Sequence, residues 1–526
     1  MRTCRRIFYL LQASYLEIRL LFYIMVRQKH SLTIRYPFFR TDRTQLMLEF
    51  ITSLADFVNA ADDFIWGIPM LVMLLGIGIL LTLNLKVLQV FHLPEALRLL
   101  FTPHREHHSK QGEVTSFAAL CTALAATIGT GNIVGVATAV GIGGPGALFW
   151  MFVAAFFGMA TKYAECLLAV KFREQDSRGH FVGGPMFYIK NGIGPRHAKT
   201  AKVLAVLFAV FGVVAACLGI GTYTQINSVV EAANQLHCDR LWVTVIITIL
   251  TIIITYGGLR TISKTAQKVV PVMGLVYILT CIAVIVLNIG KVPDAVMLIL
   301  ESAFSTAPAV GGFAGATIMM AMQKGVARGI FSNEAGLGSA PIAAASAKTN
   351  SPVEQGLISM TGTFIDTIII CMLTGLTLVI TGAWCSDQTG VAMTTLAFQG
   401  TLGNEIGLYV VNISLMLFAF TTIIGWNFYA ERCIIYLFGV KGVKPFRSLY
   451  ILIVASYILI VLYVDMNNVA DKTAINTIWT IADLANGLMA IPNLIALFML
   501  RKVIFSETKA FFTGKKENGI STAEKA

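Results

Sequence analysis

The sequence predicts an all-α membrane protein of about eleven transmembrane helices, arranged as two five-helix halves of opposite orientation with one discontinuous helix in each. Three observations lead there. The composition is that of a polytopic membrane protein, Lys and Arg alternate between successive loops, and two apolar segments five positions apart are each broken by glycine.

Of 526 residues, 56% are hydrophobic and only 13% charged, with a mean hydropathy of +0.74, far from a soluble globular domain. A net charge of +12 would suggest nucleic acid in a soluble protein, but here Lys and Arg fall mostly in short loops, where they set orientation. The expected partner is therefore the lipid bilayer and not nucleic acid. The nine cysteines show neither C-x-x-C nor Cys/His ligand spacing, so no bound cofactor is expected.

Residues 1–46 form an atypical basic extension. The apolar stretch 7–26 carries Glu17 and Arg19, is followed by Arg27, Lys29, Arg35, Arg40 and Arg43, and lacks a small-residue cleavage site. Met47 is the expected true start, because the residues between it and the first span carry only Glu49, Asp56, Asp62 and Asp63 as charges. An accessory helix occupies 47–90, with its uncharged span at 64–85, and a cytoplasmic loop fills 91–114. The first five-helix repeat covers 115–290, with spans at 115–141, 147–170, 203–230, 241–259 and 269–290. The second covers 291–500: a short amphipathic half at 295–305, a Pro/Gly run at 307–315 and a resumed helix at 316–327 make its first span. Spans at 356–383, 406–430, 449–464 and 473–500 follow, and a cytoplasmic tail closes the chain at 501–526.

Charge tests this order. The loop after the first span is basic (Lys86, Arg98, Arg105, Lys110), the next has none, and the one after 170 is the most basic of all. The alternation continues through Arg240 alone, then Arg260, Lys264 and Lys268, then Lys291 alone, then Lys324, Arg328 and Lys348. It persists to the basic tail, which places the C-terminus in the cytoplasm and the residues before the first span outside.

The stretch TIGTGNIVGVATAVGIGGPG, residues 127–146, lies between apolar segments yet is dense in glycine, which should break a helix. In lipid such a break survives only where protein, water or ligand covers the open backbone. The run APAVGGFAG at 307–315 repeats the pattern five spans later, and five is odd, so the two halves lie upside down relative to each other. Interrupted helices at matching positions point to a secondary transporter with its site between them. At such a break one half-helix offers free amides and the other free carbonyls. The amides of Gly131, Asn132 and Ile133 can hold a carboxylate; the carbonyls from Ala126 to Gly129 and around Gly311 can hold an ammonium or a sodium ion. An amino-acid zwitterion presents both charges.

The runs GTGNIVGVATAVGIGGPGALFWMFVAAFFGMATKYAE (129–165), GGPMFYI (183–189), TYGGLRTISK (255–264), AVGGFAGATIMMAMQKGVARGIFSNEAGLGSAPIAAASA (309–347) and GTFIDT (362–367) resemble the alanine or glycine:cation symporter family. The resemblance covers residues 47 to about 502. It implies a LeuT-like 5+5 inverted-repeat core with two discontinuous helices, in a bacterial plasma or inner membrane, carrying alanine or glycine with sodium as the co-transported ion. One departure is Phe152, where the family's motif usually has a second tryptophan. Nothing in the family's pattern accounts for residues 1–46.

Single residues then take expected roles. Asn132 meets a substrate group or caps the half-helix, with Thr130 beside it. Thr421 and Thr422, both facing the first break, supply hydroxyl oxygens for sodium, as the corresponding helix does in this fold, together with carbonyls at Ala126 and Gly129. Trp426, where the family places a tryptophan against the substrate, walls the pocket and leaves room only for a small side chain. Asp366, an intramembrane carboxylate, either binds an ion or closes a network. Lys162 and Glu165, one turn apart, are expected to pair, and the segment 329–341 to close an inner gate. A channel would need a continuous polar pore and an enzyme a nucleophile or acid pair in context, neither of which the sequence offers. Proton coupling through Asp366 or Glu301 is the nearest alternative to sodium.

Overall fold

The computed structural model describes residues 53, 55–100, 112–304, 318–349, 351–467 and 472–523, with side chains placed outside 463–467, 472–478 and 515–523. The chain divides into two units, Met1–Ala60 and Ala61–Ala526. In the first, the described residues are helical. The basic extension 1–46, the start at Met47 and the Pro/Gly run with Gly311 lie outside the described residues.

Among its described residues the second unit is helices and connecting turns apart from one antiparallel hairpin, β1 (Glu174–Gln175) and β2 (Phe181–Val182), and an isolated parallel bridge between Val114 and Ala347. Its principal helices are α1 (Ile68–Asn84), α2 (Ser116–Thr127), α3 (Val134–Gly143), α4 (Gly146–Lys171), α5 (Ala198–Leu218), α6 (Tyr223–Gln235) and α7 (Arg240–Leu287). They continue with α8 (Val292–Phe304), α9 (Ile318–Asn333), α10 (Pro352–Thr363), α11 (Met372–Thr381), α12 (Gly390–Leu402), α13 (Asn404–Phe438), α14 (Val443–Asn467) and α15 (Lys472–Ala523).

Among the described residues, eight helices are long and apolar enough to cross a membrane, or nine if the bent pair of α2 and the segment after it counts as one span. The sequence count of about eleven stands above this at two places. α7 is continuous through the two spans read at 241–259 and 269–290 except at Gly258, whose φ of 68° and ψ of −166° are non-helical. Its 48 residues would stretch about 72 Å if straight, more than twice the hydrocarbon thickness. The interrupted span at 295–327 falls on α8 and α9, which flank residues outside the description.

Three elements differ from expectation. The span read at 203–230 is two helices, because the chain leaves helical geometry between Leu218 and Tyr223. α12 occupies what reads as a loop, and α15 carries helix far into the expected tail. Burial sorts the layers: 83% of an apolar 18-residue stretch of α4 lies inside the protein, against 33% for one of α7 and 28% for one in the span Val440–Leu462. α4 is therefore the central post, packed against α9, α10 and α1, while α7 and α14 present apolar faces outward. Phe152 lies on the outer face of α4, 41% exposed, so the missing indole N–H there leaves no buried partner unmet.

Candidate functional site

The first break is where the glycines place it. α2 ends at Thr127, Ile128 is extended, Thr130–Asn132 form a 3-10 turn, and the two half-helices meet at 63°. Gly129 is required by contact: a Cβ there would sit 2.4 Å from Thr422 Oγ1. Of the three amides expected to receive a carboxylate, Asn132 N and Ile133 N close the turn onto Gly129 O and Thr130 O at 3.3 Å each, which leaves that of Gly131.

The side chains at this break are pinned. Asn132 Oδ1 accepts from Gly129 N at 2.9 Å, so of its two expected roles the capping one is seen. Its Nδ2 donates to Asp366 Oδ1 at 2.7 Å. Thr130 is held by Gln225, the third residue of α6, whose Nε2 donates to Thr130 Oγ1 at 3.1 Å and whose Oε1 faces Thr130 N at 3.4 Å. Gln225 reads in the sequence as the interior of a plain span. The Gly-x-Gly run at 219–221 just before it is the available signal.

α13 crosses the break at close range. A Cβ on Gly425 would lie 2.8–2.9 Å from Ala126, so backbone meets backbone there. Thr422 Oγ1 reaches Ile128 O at 3.4 Å and Phe418 O at 3.0 Å. Thr421 does not share this face. Its hydroxyl bonds Phe418 O at 2.9 Å and lies 3.9 Å from Met273 Sδ on α7, because neighbours on a helix point about 100° apart. The expectation that both hydroxyls face the break is corrected to Thr422 alone. Trp426, fully buried, lies one turn on, against Gly221 of the α5–α6 junction and edge-on to Tyr429 at 5.7 Å; its indole N–H is directed toward the Glu334 carboxylate.

The structure adds a break that the sequence reading assigned to an inner gate. α9 ends at Asn333, and Glu334, Gly336 and Gly338 take φ of 57°, 91° and 82° before a short helix at Ala340–Ala344. Three left-handed residues in five cannot continue a right-handed helix. The open backbone is covered by protein. Ala335 N donates to Asn333 Oδ1 at 2.9 Å and Gly336 N to Glu165 Oε1 at 3.1 Å; Gly336 O accepts from Asn493 Nδ2 at 2.9 Å. Asn493 also accepts from Tyr188 of the GGPMFYI motif. Open backbone of this kind is tolerated in apolar surroundings where protein covers it. One expectation falls with it. Glu165 buttresses this loop instead of pairing with Lys162, whose ammonium makes no hydrogen bond among the described residues. Arg328, counted with cytoplasmic loop charge, pairs bidentately with Asp483 at 2.7 and 3.1 Å, beside Trp66, whose Nε1 donates to Asp483 O.

The two breaks meet. A Cβ on Gly131 would lie 3.0 Å from Ser332 Cα, one residue before the end of α9. Between them stands Asp366, fully buried on a π-helical stretch, Phe364–Cys371, a distortion frequent at functional sites. It accepts from Asn132 Nδ2, from Ser332 Oγ at 2.9 Å and from Thr367 Oγ1 at 2.7 Å, so of its two expected roles it closes a network here.

Residues 51–525 match the sequence pattern of the sodium:alanine symporter family. The chain belongs to that family. It is 52% identical over 468 residues to an uncharacterized transporter of Haemophilus influenzae, covering 89% of this chain and 98% of that protein. It is 46% identical over 459 residues to the sodium/alanine symporter AgcS of Methanococcus maripaludis (86% and 96%). A third relative is the probable sodium/glutamine symporter GlnT of Bacillus subtilis, 36% identical over 470 residues (88% and 92%). A member of this symporter family is a membrane carrier and not an enzyme.

Proposed function

We propose that the chain imports a small neutral amino acid, alanine or glycine, together with sodium, by alternating access between two inverted five-helix repeats. The observation that carries this is the apposition of Thr422 Oγ1 and Ile128 O, 3.4 Å apart at the first break, in a member of a sodium symporter family. Calcium, a hard cation of about the same size as sodium, takes oxygens at about 2.3–2.6 Å, so one ion can touch both oxygens at an angle of about 90°. Carbonyls from Ala126 to Gly129 complete the shell. The Gly131 amide receives the substrate carboxylate, and Trp426 against Gly221 limits the side chain to a methyl group or hydrogen.

The repeat reading is supported by element order. From the first break the chain runs through α4, α5–α6 and the two limbs of α7; from the second, through α10–α11, α13, α14 and α15. Positive-inside counting, with Lys324 and Arg328 assigned to the outer side together with Asp483, supports a cytoplasmic C-terminus. Sodium is favoured over the proton because Asp366 already accepts three donors and Glu301 is exposed on α8. Uptake of alanine into vesicles at constant pH, with choline replacing sodium, tests the reading. Uptake that persists unchanged in choline rejects it.

A further inference from the structure

Asp366 is joined to both breaks at once, and no other described carboxylate is. On one side it holds Asn132, whose Oδ1 in turn holds the amide of Gly129, the residue pressed against Thr422. On the other it holds Ser332, whose Cα and Cβ close on Gly131. A continuous chain thus runs from the proposed sodium ligands through Gly129, Asn132 and Asp366 to the end of α9. Every donor to Asp366 is neutral and every one is buried, so each link is a well-defined bond in a low-dielectric interior. The residue sits on the π-helical stretch between α10 and α11, outside both broken helices, and can therefore fix one relative to the other. Lys162 of α4, Glu334 at the second break and the Cys371 thiol are its charged or titratable neighbours.

We propose that Asp366 is a positioning residue that couples the two breaks: sodium bound at Thr422 orders Gly129 and Asn132, and Asp366 transmits that order to Ser332 and the second break, so that sodium raises affinity for the amino acid. This role touches neither ion nor substrate. It rests on the symport reading above, and such coupling is a reciprocal free energy between the two sites.

The test reads the ratio of alanine affinity with and without sodium on purified full-length protein, in wild type, Asp366→Asn and the exchange variant Asn132→Asp/Asp366→Asn. The exchange keeps every link of this chain possible and gives up only the Asn132 Nδ2 bonds to the Asp366 carbonyl and to Cys371 Sγ. The carboxylate then at position 132 can accept from Gly129 N and from the amide at position 366, whose own oxygen accepts from Ser332 and Thr367. Wild type should bind alanine tenfold or more tightly in sodium. Asp366→Asn should shrink that ratio below about threefold, and the exchange should restore most of it. A purely structural role would lower thermal stability and both affinities together without selectively moving the ratio. An Asp366 that ligated sodium directly would leave the exchange variant uncoupled, because its charge has moved. Either result, or an Asp366→Asn protein with the full ratio, overturns the proposal. Should Asp366→Asn not fold, Ser332→Ala removes one donor only and must still lower the ratio. A wild-type ratio of one would instead overturn the symport reading itself.

Discussion

Valine in place of Thr422 keeps the shape of the side chain and removes one oxygen from the proposed sodium shell, whereas the same change at Thr421 removes an oxygen that faces α7. The Thr422 hydroxyl lies 3.4 Å from Ile128 O, and its neighbour's bonds are to Phe418 O and Met273. An interaction with a charged partner contributes about 1.5–3 kcal/mol, and about 1.4 kcal/mol is tenfold in an equilibrium constant. Thr422→Val should therefore raise the half-saturating sodium concentration roughly 10- to 150-fold. Thr421→Val loses only a back-bond to its own helix, about 0.5–1.5 kcal/mol of stability, and should leave sodium dependence within about twofold. The assay is initial alanine uptake into vesicles over a sodium series at fixed ionic strength. Equal shifts for the two variants, or none for Thr422→Val, would refute the assignment of the ion to this face of α13.

The remaining expectations concern the breaks and their supports. Gly131→Leu should abolish sodium-driven uptake while the protein still reaches the membrane, because even a Cβ meets Ser332 Cα at 3.0 Å; uptake near wild type refutes it. Gly425→Ala should lower the thermal midpoint in detergent, since the new methyl meets Ala126 backbone at 2.9 Å and overpacking costs about 1–3 kcal/mol; an unchanged midpoint would mean α13 can move aside freely. Glu165→Ala strands Gly336 N and one N–H of the Asn493 amide, each at about 1–3 kcal/mol. Glu165→Gln retains an acceptor, so it should lose clearly less stability than the alanine variant by the same measurement.

Spans can be read from the sequence because apolar length and loop charge are local properties, and the first break because Gly129 and Gly131 interrupt an apolar run. The sequence points for its second break to the Pro/Gly run at 307–315, which lies outside the described residues. The one the structure shows, from Glu334 to Ser339, is polar, and its burial depends on Glu165 and Asn493 arriving from other helices. Partners distant in sequence leave no periodic trace: Gln225 meets Thr130 across 95 positions and Asn132 meets Asp366 across 234. Thr421 and Thr422 show the opposite limit. Their type is informative, but only helix phase against a neighbour decides which hydroxyl faces the break. α12 escapes a reading by length because its 13 residues are too few to span a membrane, the criterion that identifies the other spans.

In the proposed symport, sodium and a net-neutral amino acid cross together, so that only the ion carries charge. Crossing about 100 mV is worth roughly 2.3 kcal/mol per charge, and a tenfold sodium gradient adds about 1.4 kcal/mol, enough for roughly 500-fold accumulation with one sodium per alanine. Purified protein in vesicles, with sodium outside and an inside-negative potential set by potassium and valinomycin, measures this directly. The account predicts alanine accumulation that requires sodium and rises with the potential; accumulation indifferent to voltage, or undiminished when sodium is replaced by choline, would contradict it.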